Sequence, residues 1–234
     1  MWERTLAGKD LRFHLSGINN ENFIMKDEQT GSWWQQVSGY AIQGPMRGTR
    51  LKRVAHEDVT FATWRKEHPS TRVLEPDPSA KSEYASADWE VQMLDTPVVT
   101  PRRKNEPLGD RALVAGVALP DGSRAYPMSD LARTGPVNDR LGSHDIVVMP
   151  FEAGNSVRVF DRKVEGQSLE FYAGKADESG HLVDASTGTT WDLTGVGVSG
   201  PLSGRKLEKL TVLLDYWFDW KTYHPDTDVY RAGL

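Results

Sequence analysis

The chain has 234 residues, a formal net charge of −5 and interleaved acidic and basic positions, so it has room for one large core or two small ones. No basic stripe is present to neutralise phosphates, and nucleic-acid binding is not expected. The lack of cysteine removes disulfides, thiolate metal ligands and thiol nucleophiles, and no apolar run approaches the ~20 residues that span a bilayer.

Residues 2–54 read as antiparallel strands. Leu11, Phe13 and Leu15 alternate with Arg12 and His14, the period of a half-buried strand, and Phe23-Ile24-Met25 supplies the next. In Asp27-Glu28-Gln29-Thr30-Gly31 the aspartate can accept from the backbone of its own turn while Gly31 takes the positive φ that closes it. Alternation then splits Trp33 from Trp34. Trp34 is the core residue, and Trp33 faces the other side, either as a platform for a glycan or peptide or under another part of the chain.

Gly44-Pro45-Met46-Arg47-Gly48 is a tight turn without the lysine and glycine spacing of a phosphate loop. Thr60 caps a short helix that runs to His68 and is stopped by Pro69, with Phe61, Trp64 and His68 on one face. Residues 75–107 are rich in proline and polar residues and read as an extended connector, laid across a surface by Tyr84, Trp89, Val91 and Met93. Beyond it, residues 112–119 form a strand, Asp121-Gly122 a hairpin turn, residues 123–126 its partner, and residues 129–133 at most one helical turn. Two more strands follow at residues 146–148 and 157–160.

A second copy of the earlier landmarks closes the chain. Asp184, Thr187-Gly188 and Trp191 repeat Asp27, Thr30-Gly31 and Trp34 at an offset of 157. Gly200-Pro201, Gly204, Leu207, Trp220, His224-Pro225, Thr227 and Val229 repeat Gly44-Pro45, Gly48, Leu51, Trp64, His68-Pro69, Thr71 and Val73 at 156. Phe160-Asp161-Arg162 repeats Trp2-Glu3-Arg4 at 158, and Asp215 is placed at the start of the second helix. Nothing ahead of Trp2 corresponds to residues 108–159, so the first copy either lacks its head or belongs to a longer chain. The expected fold is mainly β: antiparallel sheets from two pseudo-repeated halves, each with a short helix ending at His-Pro. The expected organisation is an incomplete first half at residues 1–74, the connector at 75–107, and a more complete second half at 108–234.

These same residues, from Asp27 through Trp34, Gly44-Pro45, Gly48 and Leu51 to Trp64 and His68-Pro69, resemble the bacterial and archaeal family known as domain of unknown function 3179. Arg124-Ala125-Tyr126-Pro127, Val137-Asn138-Asp139, Gly142 and Phe160-Asp161-Arg162 extend the resemblance. It implies no established activity. It does imply a periplasmic or extracellular setting, since members often carry export signals, although this sequence displays none. It also implies a Cys-x-x-Cys-like stretch near Phe151 and Gly154, which this chain lacks, so a redox or thiol–metal role is not supported.

Two groups of residues are candidates for chemistry. His68 and His224, at matching places in the two copies, are metal-ligand candidates if they meet across a pseudo-twofold axis; otherwise each completes a helix C-terminus and packs on the preceding tryptophan. Arg124, Tyr126, Asn138, Asp139 and His144 are the densest polar set outside the copies, suited to acid–base work or to an anionic ligand if the loop after Gly135-Pro136 folds back. No cofactor is expected, with a metal at the histidines as the alternative. The favoured expectation is a non-catalytic binding or structural module acting outside the cytoplasm; the rival is an enzyme or metal-dependent site built from Arg124, Asn138, Asp139 and His68 or His224.

Overall fold

The computed structural model describes residues 1–19, 21–99, 104–174 and 180–232. The fold is mainly β, in several small antiparallel sheets with few short helices. In the N-terminal part, β1 (Thr5–Leu6) and β2 (Lys9–Asp10) form a hairpin, and β3 (Phe13–Asn19), β4 (Asn22–Asp27), β5 (Trp33–Gln35) and β6 (Ala41–Gln43) form a meander in that order. Its core is small: Leu11, Trp34, Ala41 and Leu51, flanked by Trp2, Leu6, Phe13 and Met46. The β4–β5 turn is held by Asp27, which accepts from the Thr30 amide and hydroxyl, the Ser32 amide and the buried Trp34 Nε1. These donors hold its carboxyl below the usual range despite burial. After α1 (Phe61–Glu67), capped by Thr60, the chain reaches residues 75–107.

That segment is not simply extended. A 3₁₀ turn (Pro78–Glu83) and α2 (Trp89–Asp95) form within it, and Tyr84, Trp89 and Val91 are exposed, with Met93 only half-buried. Asp77 caps the 3₁₀ turn by accepting from the Ser79 amide, local chemistry that proline counting overlooks.

The C-terminal part begins with a hairpin of β7 (Leu113–Leu119) and β8 (Gly122–Pro127), followed by α3 (Met128–Thr134), β9 (Val137–Leu141), β10 (His144–Phe151), a short 3₁₀ turn, and β11 (Ser156–Asp161). Then come β12 (Lys163–Val164), β13 (Gln167–Ser168), β14 (Phe171–Ala173), β15 (Leu182–Asp184), β16 (Thr190–Trp191), β17 (Gly197–Ser199), β18 (Glu208–Leu210), β19 (Val212–Tyr216), α4 (Trp217–Tyr223) and β20 (Asp228–Val229). Two four-stranded sheets, β19-β7-β8-β20 and β18-β11-β10-β9, share a core that includes Val117, Tyr126, Leu131, Ile146, Val148 and Val159. The continuous apolar run of β7 suits a strand with neighbours on both edges and both faces covered. On one face Trp220 lies so close to Gly116 that a Cβ there would come within 2.2 Å of its ring.

The paired landmarks of the two parts have matching local geometry. β14-β15-β16-β17 is a meander in the order of β3-β4-β5-β6. Asp184 accepts from the Thr187 amide and hydroxyl and from Trp191 Nε1. Trp64 stacks on His68 with ring centroids 4.0 Å apart and donates to Thr71 Oγ1; Trp220 stacks on His224 at 3.9 Å and donates to Thr227 Oγ1. Arg53 bridges to Trp2 through the backbone and lies over its ring, as Lys209 does with Phe160.

Four local expectations are corrected. Leu15 is exposed, because β3 carries a bulge between Leu15 and Gly17 and its inward residue, Leu11, precedes the strand. Residues 128–134 form a seven-residue helix rather than one turn, since Met128 and Leu131 are drawn into the core. Asn138-Asp139 lies inside a strand, paired with Val147 and Ile146 of β10, not in a loop after Gly135-Pro136. Asp215 belongs to β19; Tyr216 occupies the α4 cap position.

Candidate functional site

The two parts meet along a polar seam. Asn22 Nδ2 donates to Asp219 Oδ2 at 2.5 Å, and Arg111 makes a two-pronged bond to Glu21 at 2.6 and 3.1 Å. Arg158 of β11, 2 % exposed, donates to Glu57 at 2.8 Å and grips Glu67 of α1 at 2.7 and 2.9 Å. Lys209 pairs with Glu57 as well. Fork-shaped guanidinium contacts of this kind fix orientation more strictly than a point charge does.

A cleft of about 860 Å³ opens along this seam. One wall is Val37, Ser38, Tyr40, Arg50 and Arg53; the other is the β7–β8 turn with Arg124, Tyr223 at the end of α4, and His224, Asp226 and Asp228 beyond it. Arg50 donates Nε to the Ser38 carbonyl at 3.0 Å and lies over the rings of both Tyr40 and Trp2, 5.1 and 5.5 Å from their centroids. Arg53 lies 6.0 Å from the Trp2 centroid. Neither guanidinium has a carboxylate partner among the described residues. Burial and the neighbouring Arg50 lower the pKa of Arg53. Across the cleft, burial first, then Arg53 and Arg50, push His224 down to about 4, leaving a neutral imidazole at neutral pH.

Arg124, Tyr126 and Asp139 come together, but as a satisfied brace between β8 and β9. Arg124 donates to both Asp139 oxygens at 2.7 Å and Tyr126 donates its hydroxyl to Asp139 Oδ2 at 2.6 Å. Tyr126 is fully buried, and burial followed by this bond raises its pKa strongly. Arg124 also reaches Asp228 at 3.4 Å, so its charge at the cleft edge is already compensated. Asn138 is not in this group: its amide donates to the Phe171 carbonyl and accepts from the Phe171 amide, both at 2.8 Å, substituting for a strand partner of β14. His144 lies 3.9 Å from Asp121 and 3.8 Å from Asp161.

Trp33 is half-buried in β5, cross-strand from Lys26 and Gln43. The two histidines face different surfaces, His224 the cleft and His68 the solvent at the end of α1. Among the described residues no group of three or more His, Asp or Glu is placed to hold a metal ion.

The sequence reading missed two features. Arg50 and Arg53 had one signal available: the positions 156 residues later, Lys206 and Lys209, are also basic. Asp215 and Asp219 had none, since their counterparts are Val59 and Thr63. The two aspartates act on one another's ionisation, and Asp215 Oδ2 and Asp219 Oδ1 are buried oxygens without a hydrogen-bond partner among the described residues. Burial, then the charge of Asp219, raises Asp215 to about 8, and burial raises Asp219 too. Asp215 lines a smaller cavity of about 380 Å³ whose wall shares Val37, Arg53 and Leu213 with the cleft.

A family model described as "Protein of unknown function (DUF3179)" matches residues 1–227, and the chain belongs to that family. No curated protein and no solved structure matches it. No helix among the described residues is long and apolar enough to cross a membrane.

Proposed function

We propose that this member of the family is a non-catalytic binding module acting outside the cytoplasm, built from a duplicated β unit, and that its ligand is a small anion or an anionic group held in the seam cleft. The observation that carries this reading is the pair Arg50 and Arg53, two guanidiniums packed on Trp2 and Tyr40 with no carboxylate partner among the described residues. Two neighbouring cations repel, and partial burial raises that cost; an anion between them offsets both. The aromatic rings hold the guanidinium planes in place, so little side-chain freedom remains to be lost on binding. The extracytoplasmic setting rests on the family resemblance alone.

Isothermal titration with inorganic phosphate and with citrate at low ionic strength tests the reading. Saturable binding, weakened at least tenfold in Arg53→Gln and in Arg50→Gln and screened by added salt, is expected. Equal heats for the parent and both variants would overturn it.

A second, catalytic reading is supported by other residues than Arg124, Asn138 and Asp139. Asp215, proton-bearing near neutral pH and facing a cavity beside Arg53, has the character of a general acid. Turnover lost in Asp215→Asn with folding intact would favour this reading over simple binding.

A further inference from the structure

The seam cleft carries charge of both signs, and the two signs do not meet. Arg50 and Arg53 stand on one wall, while Asp121, Asp226 and Asp228 stand on the other. No carboxylate lies within ion-pair reach of either guanidinium among the described residues. Arg124, on the same wall as the aspartates, gives them little relief. It bonds both oxygens of Asp139 at 2.7 Å and reaches Asp228 only at 3.4 Å, and the Asp228 side chain is 72 % exposed. Asp226 makes no hydrogen bond or ion pair among the described residues.

Turn chemistry does not account for Asp226. The chain reverses at His224-Pro225-Asp226-Thr227, where the Thr227 amide donates to the His224 carbonyl at 3.0 Å and Trp220 Nε1 donates to Thr227 Oγ1 at 2.9 Å. The first copy builds the same turn at His68-Pro69-Ser70-Thr71, with the same two bonds and a serine where Asp226 stands. The carboxylate is therefore dispensable for the turn. It is nevertheless carried on a braced element, two residues from His224, whose protonation both guanidiniums oppose. The basic wall shows a matching contrast: Lys209, the counterpart of Arg53, pairs with Glu57, whereas Arg53 has no carboxylate.

Resting on the reading that Arg50 and Arg53 hold an anionic group, we propose that the ligand of the cleft is a zwitterion with its charges at opposite ends, the carboxylate at Arg50 and Arg53 and the ammonium at Asp226. Such a ligand satisfies both walls at once, whereas a plain anion meets the guanidiniums but is repelled by the aspartates. The apolar part of the lining, which includes Val37, Leu119, Leu141 and Leu213, suits the methylene or peptide stretch joining two such ends. Short peptides with free termini and ω-amino acids share this chemistry.

Isothermal titration of the intact protein tests the proposal with 6-aminohexanoate and triglycine. Their N-acetyl derivatives keep the carboxylate and lose the ammonium, and hexylamine keeps the ammonium alone. At least one of the two zwitterions should bind tenfold or more tighter than its N-acetyl derivative and than hexylamine; which one does so separates an ω-amino acid from a peptide. Asp226→Asn should bring that zwitterion down to the level of its N-acetyl derivative. The same variant should tighten phosphate binding, because a carboxylate that repels anions is gone. Damage to the fold would weaken both, so the opposite signs distinguish a lost contact from lost structure. Equal binding of zwitterions and N-acetyl derivatives would overturn the proposal, as would hexylamine matching the zwitterion or a preference that survives Asp226→Asn. If phosphate and citrate still bind in the first of these cases, the anion reading stands without the zwitterion; if no carboxylate and no phosphate binds, both fall.

Discussion

The seam contains two buried titrations of opposite sign, and together they dictate an unusual pH profile of stability. Asp215 is raised to about 8 by burial and by Asp219, from an unfolded value of 3.8. Between those values the folded state keeps a proton the unfolded chain has released, so stability from this group is full below pH 3.8 and falls as pH rises to 8. His224 is depressed from 6.5 to about 4. Between 4 and 6.5 the unfolded chain binds the extra proton, so this group makes stability rise with pH over that range. The two slopes oppose one another from 4 to 6.5, and above 6.5 the aspartate acts without the histidine. One proton is worth about 1.4 kcal/mol per pH unit, and the raised Asp219 adds to the downward slope, so stability should fall by about 2 kcal/mol or more between pH 6.5 and 8.

Urea denaturation at half-unit pH intervals measures this, with Asp215→Asn as the decisive comparison. An asparagine there still accepts from the Tyr216 amide and donates to Asp219 Oδ1, which lacks another donor. The variant should lose the decline above pH 6.5, its stability relative to the parent growing by about 2 kcal/mol between pH 6.5 and 8. The Met1 amino group, whose pKa burial lowers, acts in the opposite direction, but it is common to both proteins and cancels in their difference. His224→Gln should instead remove the opposing slope, so that stability climbs more steeply than in the parent as pH falls from 6.5 toward 4. Parallel curves for the parent and Asp215→Asn through pH 6.5–8 would refute the reasoning.

Trp34→Phe and Trp191→Phe each remove an indole donor from a buried aspartate, so each should cost about 1–3 kcal/mol in chemical denaturation. Because the two sites lie in separate cores, the double variant should lose the sum to within ~0.5 kcal/mol. Asn138→Ala deletes both bonds to Phe171 and should cost about 1–3 kcal/mol while leaving phosphate binding in the cleft unchanged. Arg158→Met strands Glu67 at the seam and leaves Glu57 with Lys209 alone, and should cost ~3 kcal/mol or more, with faster amide exchange appearing first in α1.

Legibility followed the range of the interactions. The Asp27 and Asp184 turns, the inward Trp34 and Trp191, and the helices ending at His68 and His224 could be read because each is closed by residues within eight positions of one another. β9 could not. Asn138-Asp139 has the composition of a turn, and it becomes strand because Asn138 satisfies the backbone of Phe171, 33 residues away, while Asp139 meets Arg124 and Tyr126. The Arg50–Arg53 pair was visible only as two basic positions, since its meaning depends on what the second part does not place opposite it. Asp215 was misread as the start of the second helix because an aspartate just before a helix satisfies the local rule whether or not its carboxyl is buried.

The division of apolar and polar contacts explains why the unusual ionisations collect where they do. Each apolar cluster lies wholly on one side of the connector: Leu11, Trp34, Ala41 and Leu51 on one, the three larger clusters on the other. The contacts that cross between them include Asn22 to Asp219, Glu21 to Arg111, Thr60 to Ser156 and Glu152, Glu57 to Lys209, and Glu57 and Glu67 to Arg158. An apolar seam of the same extent would bind the parts without regard to small rotations, whereas paired forks and amides accept one orientation. The cost of that choice is desolvation, and it falls on whichever charges lack a partner across the seam. Asp215 meets it by keeping a proton and His224 by refusing one. Arg53, which can do neither at neutral pH, is left with its charge, and that is the physical reason to look for an anion beside it.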